Sequence, residues 1–151
     1  MIIVSACLLG VNSRFDGTNR LNLRLYEEAR AHGCIPICPE QLGGLTTPRR
    51  SIFLLGGNGL DLLDGKCRAF DLDGNDMTAH LIRGAGESLK IAVMLGITTA
   101  ILKERSPSCG VHFTTSQESL LDGPGVTAAL FIREGMAVVC DEASNCRRSA
   151  P

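Results

Sequence analysis

The chain has 151 residues, 44% of them hydrophobic and 21% charged, which is the length and composition of one globular domain and excludes a disordered chain. Fifteen lysines and arginines against sixteen aspartates and glutamates leave a net charge of −1, which argues against duplex DNA or an anionic membrane surface as a partner. No stretch approaches 18 uninterrupted apolar residues, and the short opening run Met1–Ala6 lacks the basic stretch of a signal peptide, so a cytoplasmic protein with reduced thiols is expected.

Ile2 to Ala6 is apolar and β-branched, as a buried strand requires. A loop rich in Gly, Asn and Asp follows, Gly10 to Asn19. Residues 21–32 then form an amphipathic helix ended by Gly33. Cys34–Cys38 is a second short strand, and Pro36 inside it makes it an edge strand or a poorly paired one. Pro39 to Arg50 contains a helical turn and a loop. Ser51–Leu55 and Lys66–Leu72 make a small hairpin or lid around the glycine-rich stretch 56–65. Asn75 or Asp76 caps a long helix reaching about Leu95, with Leu81, Ile82, Ala85, Leu89, Ala92 and Val93 on its apolar face and Gly96 after it. Thr98–Lys103 is a third buried strand, 110–123 a loop, Gly125–Arg133 a helix and Met136–Cys140 a fourth strand. This alternation predicts a single three-layer, Rossmann-like α/β domain over residues 1–142, with a mainly parallel sheet of about four strands and a small hairpin or lid. Residues 143–151 are small, polar and basic, and read as a flexible C-terminal tail.

Seven cysteines are many for such a chain, yet the count is odd and the length too great for a disulfide scaffold. Cys7 follows the first strand, Cys38 ends the second, Cys109 lies in the loop after the third and Cys140 ends the fourth. Chemistry in open parallel sheets collects at the carboxyl ends of the strands. Cys34, Cys67 and Cys140 are well explained as small buried hydrophobes, and Cys146 falls in the tail. Cys7, Cys38 and Cys109 border stretches rich in Gly, Pro and polar residues, where packing alone does not call for a thiol. No CxxC pair is present, which disfavours thioredoxin-like and zinc-ribbon readings. The first loop also differs from the C-x5-R cradle of low-molecular-weight tyrosine phosphatases, because Cys7 and Arg14 are one residue too far apart.

Five blocks carry a more specific likeness: Ser5-Ala6-Cys7-Leu8-Leu9-Gly10, Arg14-Phe15-Asp16-Gly17, Cys38-Pro39-Glu40-Gln41-Leu42-Gly43-Gly44-Leu45 with Thr47-Pro48-Arg49, Leu102-Lys103-Glu104-Arg105-Ser106-Pro107-Ser108-Cys109-Gly110, and Gly123-Pro124-Gly125-Val126-Thr127-Ala128. Together they resemble the thiouracil desulfidase family over residues 1–142. The resemblance implies an oxygen-sensitive enzyme with a 4Fe–4S cluster held by three cysteines, one iron being left open, that removes sulfur from a thiolated pyrimidine base or nucleoside. By position the ligands are Cys7, Cys38 and Cys109, the acid/base residue is Glu40 and the polar helper is Ser106. Many family members carry a cysteine where this chain has Ser13, and three-cysteine ligation makes that loss tolerable.

On that reading the open iron draws electron density from the thiocarbonyl carbon and Glu40 takes a proton from attacking water, with no net redox change. Ser106 or Glu104 delivers the proton to the leaving side. Arg49, Arg14 and Asp16 are candidate substrate-binding residues, and the amides of Gly123-Pro124-Gly125 a candidate oxygen-binding helix start. Two other readings stay open: a cluster-free sulfurtransferase using a cysteine persulfide, and a non-catalytic iron–sulfur binding or sensing module.

Overall fold

The computed structural model describes residues 1–142; the expected tail, 143–151, lies outside the described residues. Four short strands, β1 (Ile2–Ser5), β2 (Cys34–Ile37), β5 (Thr99–Leu102) and β8 (Ala137–Cys140), form one sheet in the order β2-β1-β5-β8. Every pairing in it is parallel: Ile2 faces Cys34, Ile3 faces Ala100 and Leu102 faces Cys140. The strand holding Pro36 is at the edge, as expected, where a missing N–H is tolerated.

Side-chain alternation along these strands sorts residues to two faces. Ile3, Ala100 and Leu102 pack with Ala92 of helix α4 (Thr78–Leu95) and with Ala128 and Phe131 of helix α5 (Val126–Arg133). Val4 and Ile101 turn the other way, onto Leu25 of helix α1 (Leu23–His32). The result is the expected three-layer α/β arrangement. Helix α1 begins where the Asn22 side chain accepts from the Leu25 amide, and it stops at Gly33, whose φ of 79° suits a residue without Cβ.

Two small antiparallel hairpins lie outside the main sheet. Strands β3 (Ile52–Leu55) and β4 (Arg68–Asp71) pair antiparallel as the expected hairpin, but the glycine-rich connection contains helix α3 (Gly59–Leu63). Its start is a capping box, in which the Asn58 side chain accepts from Asp61 N and the Asp61 side chain from Asn58 N. The stretch expected to be a plain loop, 110–123, carries a further antiparallel pair, β6 (Phe113–Thr115) and β7 (Leu120–Asp122). Thr115 Oγ1 donates to Ile52 O at 3.2 Å, joining the two hairpins.

Two details of α4 correct the sequence reading. The N-cap residue is Met77; Asp76 contributes by accepting from Thr78 N at 2.9 Å. Ile82 and Val93 are exposed, whereas Gly84 and Ser88 are buried. The reason is a close helix–helix approach. Helix α2 (Pro39–Leu42) lies against α4 so tightly that a Cβ at Gly84 would collide with the Pro39 carbonyl, and one at Gly43 with the His80 carbonyl. Small residues therefore occupy the inward face, and α2 is fixed in place together with Cys38 and Glu40.

No helix among the described residues is long and apolar enough to cross a membrane.

Candidate active site

The switch in strand order falls at β1, whose neighbours β2 and β5 are reached by connections running to opposite sides, and such points open a crevice at the strands' carboxyl ends. There the chain turns abruptly after each strand. β1 runs into a 3-10 turn holding Cys7, β2 runs through Cys38 into α2, and β5 runs into the loop with Cys109. All three cysteines line one cavity of about 120 Å³. Glu40, Arg49, Ser106 and Arg14 line it as well, and Phe15, Ile52 and Thr115 supply further wall. Asp16 does not reach it. That carboxylate accepts from Thr18 N at 3.0 Å and Thr18 Oγ1 at 2.6 Å in an exposed turn, and the Thr18 hydroxyl holds it below the usual aspartate range.

The thiols are mutually aware. Burial, followed by the proximity of Cys38, pushes Cys7 up to about 11, although Arg14 and Lys103 act in the opposite direction. Burial pushes Cys109 well above its ordinary value; Cys38 and Cys7 add to this, while a hydrogen bond with Ser5 opposes it. Desolvated sulfurs that repel one another as thiolates need a cation among them to ionise, which is the chemistry of a metal-binding set. Among the described residues, the one trio of ligand atoms within 4.8 Å of one another is Glu104, His112 and Cys140. Cys7, Cys38 and Cys109 are soft sulfur donors, the ligand type that iron–sulfur clusters and zinc share. Cys140 itself is buried and disulfide-bonded, a departure from the seven reduced thiols expected, and so offers no thiolate. Cys34 and Cys67 are free thiols packed in separate apolar clusters.

Glu40 sits on the first turn of α2, 9% exposed, with both oxygens engaged. Oε2 accepts from Arg49 Nε at 2.6 Å and Oε1 from Ser108 Oγ at 3.2 Å. A carboxylate has about four acceptor sites, so capacity remains on the cavity side. Ser106 Oγ accepts the amides of Ser108 (3.2 Å) and Cys109 (3.0 Å), which shapes the turn presenting Cys109 and leaves its O–H to donate. Arg14 stacks 5.6 Å from the Phe15 ring centroid, and its buried Nε has no hydrogen-bond partner among the described residues, with Asp16 Oδ1 3.8 Å away.

Two sequence expectations change. Glu104 is no proton donor at the cavity: it is 1% exposed and its carboxylate receives the amides of Val111 (2.9 Å), His112 (3.0 Å) and Phe113 (2.9 Å) together with the His112 ring (3.0 Å). It organises the loop that carries Cys109. The helix start at 123–125 is likewise occupied, since Gly125 N donates to Gly110 O, Val126 N to Pro107 O and Thr127 N to Ser108 O. Ser108, 2% exposed, was not singled out from sequence. Its place beside Cys109 in the SPSCG block is the only local signal, and its partner Glu40 lies 68 residues away.

The profile of the 2-thiouracil desulfurase family matches residues 2–143. The uncharacterised protein YbbK of Bacillus subtilis (strain 168) is 35% identical over 148 residues, covering 96% of this chain and 98% of that protein. Among solved structures, the 4Fe–4S-dependent thiouracil desulfidase TudS superposes with a TM-score of 0.82 at 35% identity, over 93% of this chain and 90% of that one. With the family profile spanning nearly the whole chain and the fold matching throughout, this protein belongs to the 2-thiouracil desulfurase family of enzymes.

Proposed function

We propose that the chain hydrolyses the C=S bond of a thiolated pyrimidine, 2-thiouracil or a thiouridine, with Cys7, Cys38 and Cys109 holding a 4Fe–4S cluster that has one open iron. One observation carries this reading: three thiols from separate strand ends share a cavity with a carboxylate and a serine hydroxyl. The cluster dependence of TudS supports it. When bound, such a cluster supplies a soft Lewis acid for the exocyclic sulfur.

The protein's own groups do the rest. Glu40 accepts a proton from water directed at the thiocarbonyl carbon, its orientation set by Arg49 and Ser108. Ser106 donates its O–H toward the substrate. The Phe15 and Ile52 walls suit a flat, largely apolar ring. A C–O bond forms, the C–S bond breaks and sulfur leaves as sulfide, so water and thiobase become oxo-base and sulfide with no change of oxidation state. A persulfide sulfurtransferase needs a nucleophilic thiolate instead, and burial pushes Cys7 and Cys109 in the opposite direction.

Single cysteine-to-serine variants test the ligand set. After anaerobic reconstitution the wild type is expected to hold about four irons per chain. Cys7→Ser, Cys38→Ser and Cys109→Ser should lose most of that iron and all sulfide release, while Cys67→Ser keeps both. Full iron and full turnover in Cys38→Ser would remove it from the set.

A further inference from the structure

Arg49, the residue after the Thr47–Pro48 peptide, is a buried cation on the cavity wall, the charge and place that a substrate clamp would have. Its guanidinium is fully committed elsewhere. Arginine has five N–H donors, and each meets an acceptor of this chain. Nε donates to Glu40 Oε2 at 2.6 Å. One terminal nitrogen donates to Thr46 O at 3.2 Å and Thr47 Oγ1 at 2.9 Å. The other donates to Ser13 O at 3.0 Å and approaches Cys38 Sγ at 3.9 Å. The arginine's own amide donates to Phe15 O at 2.8 Å. No donor is left over for a substrate.

What these contacts join is informative. They connect Glu40 on α2, the loop through Ser13, the Thr46–Thr47 strap and a cluster-ligand sulfur. On the opposite oxygen of Glu40, Ser108 makes the corresponding tie to the Cys109 loop. The carboxylate is thus held between a guanidinium that also approaches Cys38 Sγ and a hydroxyl on the Cys109 loop.

We infer that Arg49 is a positioning residue, which with Ser108 fixes the Glu40 carboxylate relative to Cys38 and Cys109 and makes no contact with substrate. This rests on the desulfidase reading, in which Glu40 is the base. A lysine keeps the charge but cannot place five donors in a planar fork, and misplacing a reacting group by about 1 Å costs roughly a hundredfold.

The test uses the anaerobically reconstituted full chain with 2-thiouracil. Arg49→Lys should retain the wild-type iron content and visible spectrum, keep KM within about twofold and lower kcat by about 10–100-fold. Ser108→Ala, which removes one weaker bond, should lower kcat by a smaller factor, again without a change in KM. In a Glu40→Gln background, Arg49→Lys should then add less than about a twofold loss to the residual turnover, because both residues act through one carboxylate. A tenfold rise in KM, losses that multiply in the double variant, or loss of iron in Arg49→Lys would each overturn the assignment. If the iron-loaded wild type releases no sulfide from 2-thiouracil, the desulfidase reading fails instead, which is a separate result.

Discussion

Glu40→Gln is expected to leave the iron content of the reconstituted protein unchanged and to lower sulfide release from 2-thiouracil by about 10²–10⁴-fold, the usual contribution of a general base. Glutamine has nearly the same shape. Its carbonyl can still accept from Arg49 Nε, and its amide can face Ser108 Oγ once that hydroxyl rotates to accept, so the contacts that seat α2 survive. Helix packing at Gly43 and Gly84 does not involve the side chain at all. What disappears is the ability to take a proton from water. Iron analysis beside a sulfide assay separates the two effects, and unchanged turnover would take the role from Glu40.

Glu104→Ala is expected to be the most destabilising single change in the site's support, by about 4 kcal/mol. Three or more buried amides lose their acceptor, each at about 1–3 kcal/mol before water enters to relieve some of it. Glu104→Gln should be milder, since one oxygen can remain where Val111, His112 and Phe113 converge on Oε1. Burial pushes this carboxyl up, but the amides of Phe113, His112 and Arg105 and the His112 ring outweigh it, and the group ends below its ordinary value of 4.5. A depressed carboxyl contributes stability that is present above the unfolded pKa and disappears as pH falls through the folded one. Urea midpoints at pH 7 and at stepwise lower pH check both statements. The wild type should lose more stability on acidification than the alanine variant, and the gap between them should narrow.

The parallel sheet was legible because its strands are short apolar runs punctuated by Gly and Pro, and of the two places Pro36 allowed for β2, an edge or a poorly paired position, it takes the edge. The five-residue α3 was hidden by glycines, although Asn58 and Asp61 carried the spacing of a capping box. The three-residue strands β6 and β7 are too short to show alternation. The inner face of α4 was misread because apolar periodicity marks Ile82 and Val93, whereas close packing on α2 selects Gly84 and Ser88. At the site, strand ends and the family resemblance were enough to bring Cys7, Cys38, Cys109 and Glu40 to one cavity. The work of Arg49, Ser108 and Glu104 was not visible. Each is defined by partners on other loops, and a buried strut and a substrate clamp are the same letter in a sequence.

Iron-dependent sulfide release tests the central claim most directly. Chain reconstituted with iron and sulfide under anaerobic conditions, then freed of excess reagents, should convert 2-thiouracil to uracil with one sulfide released per base, and the same preparation stripped of iron should convert none. A colourless, zinc-loaded protein under those conditions, or equal turnover with and without iron, would contradict it.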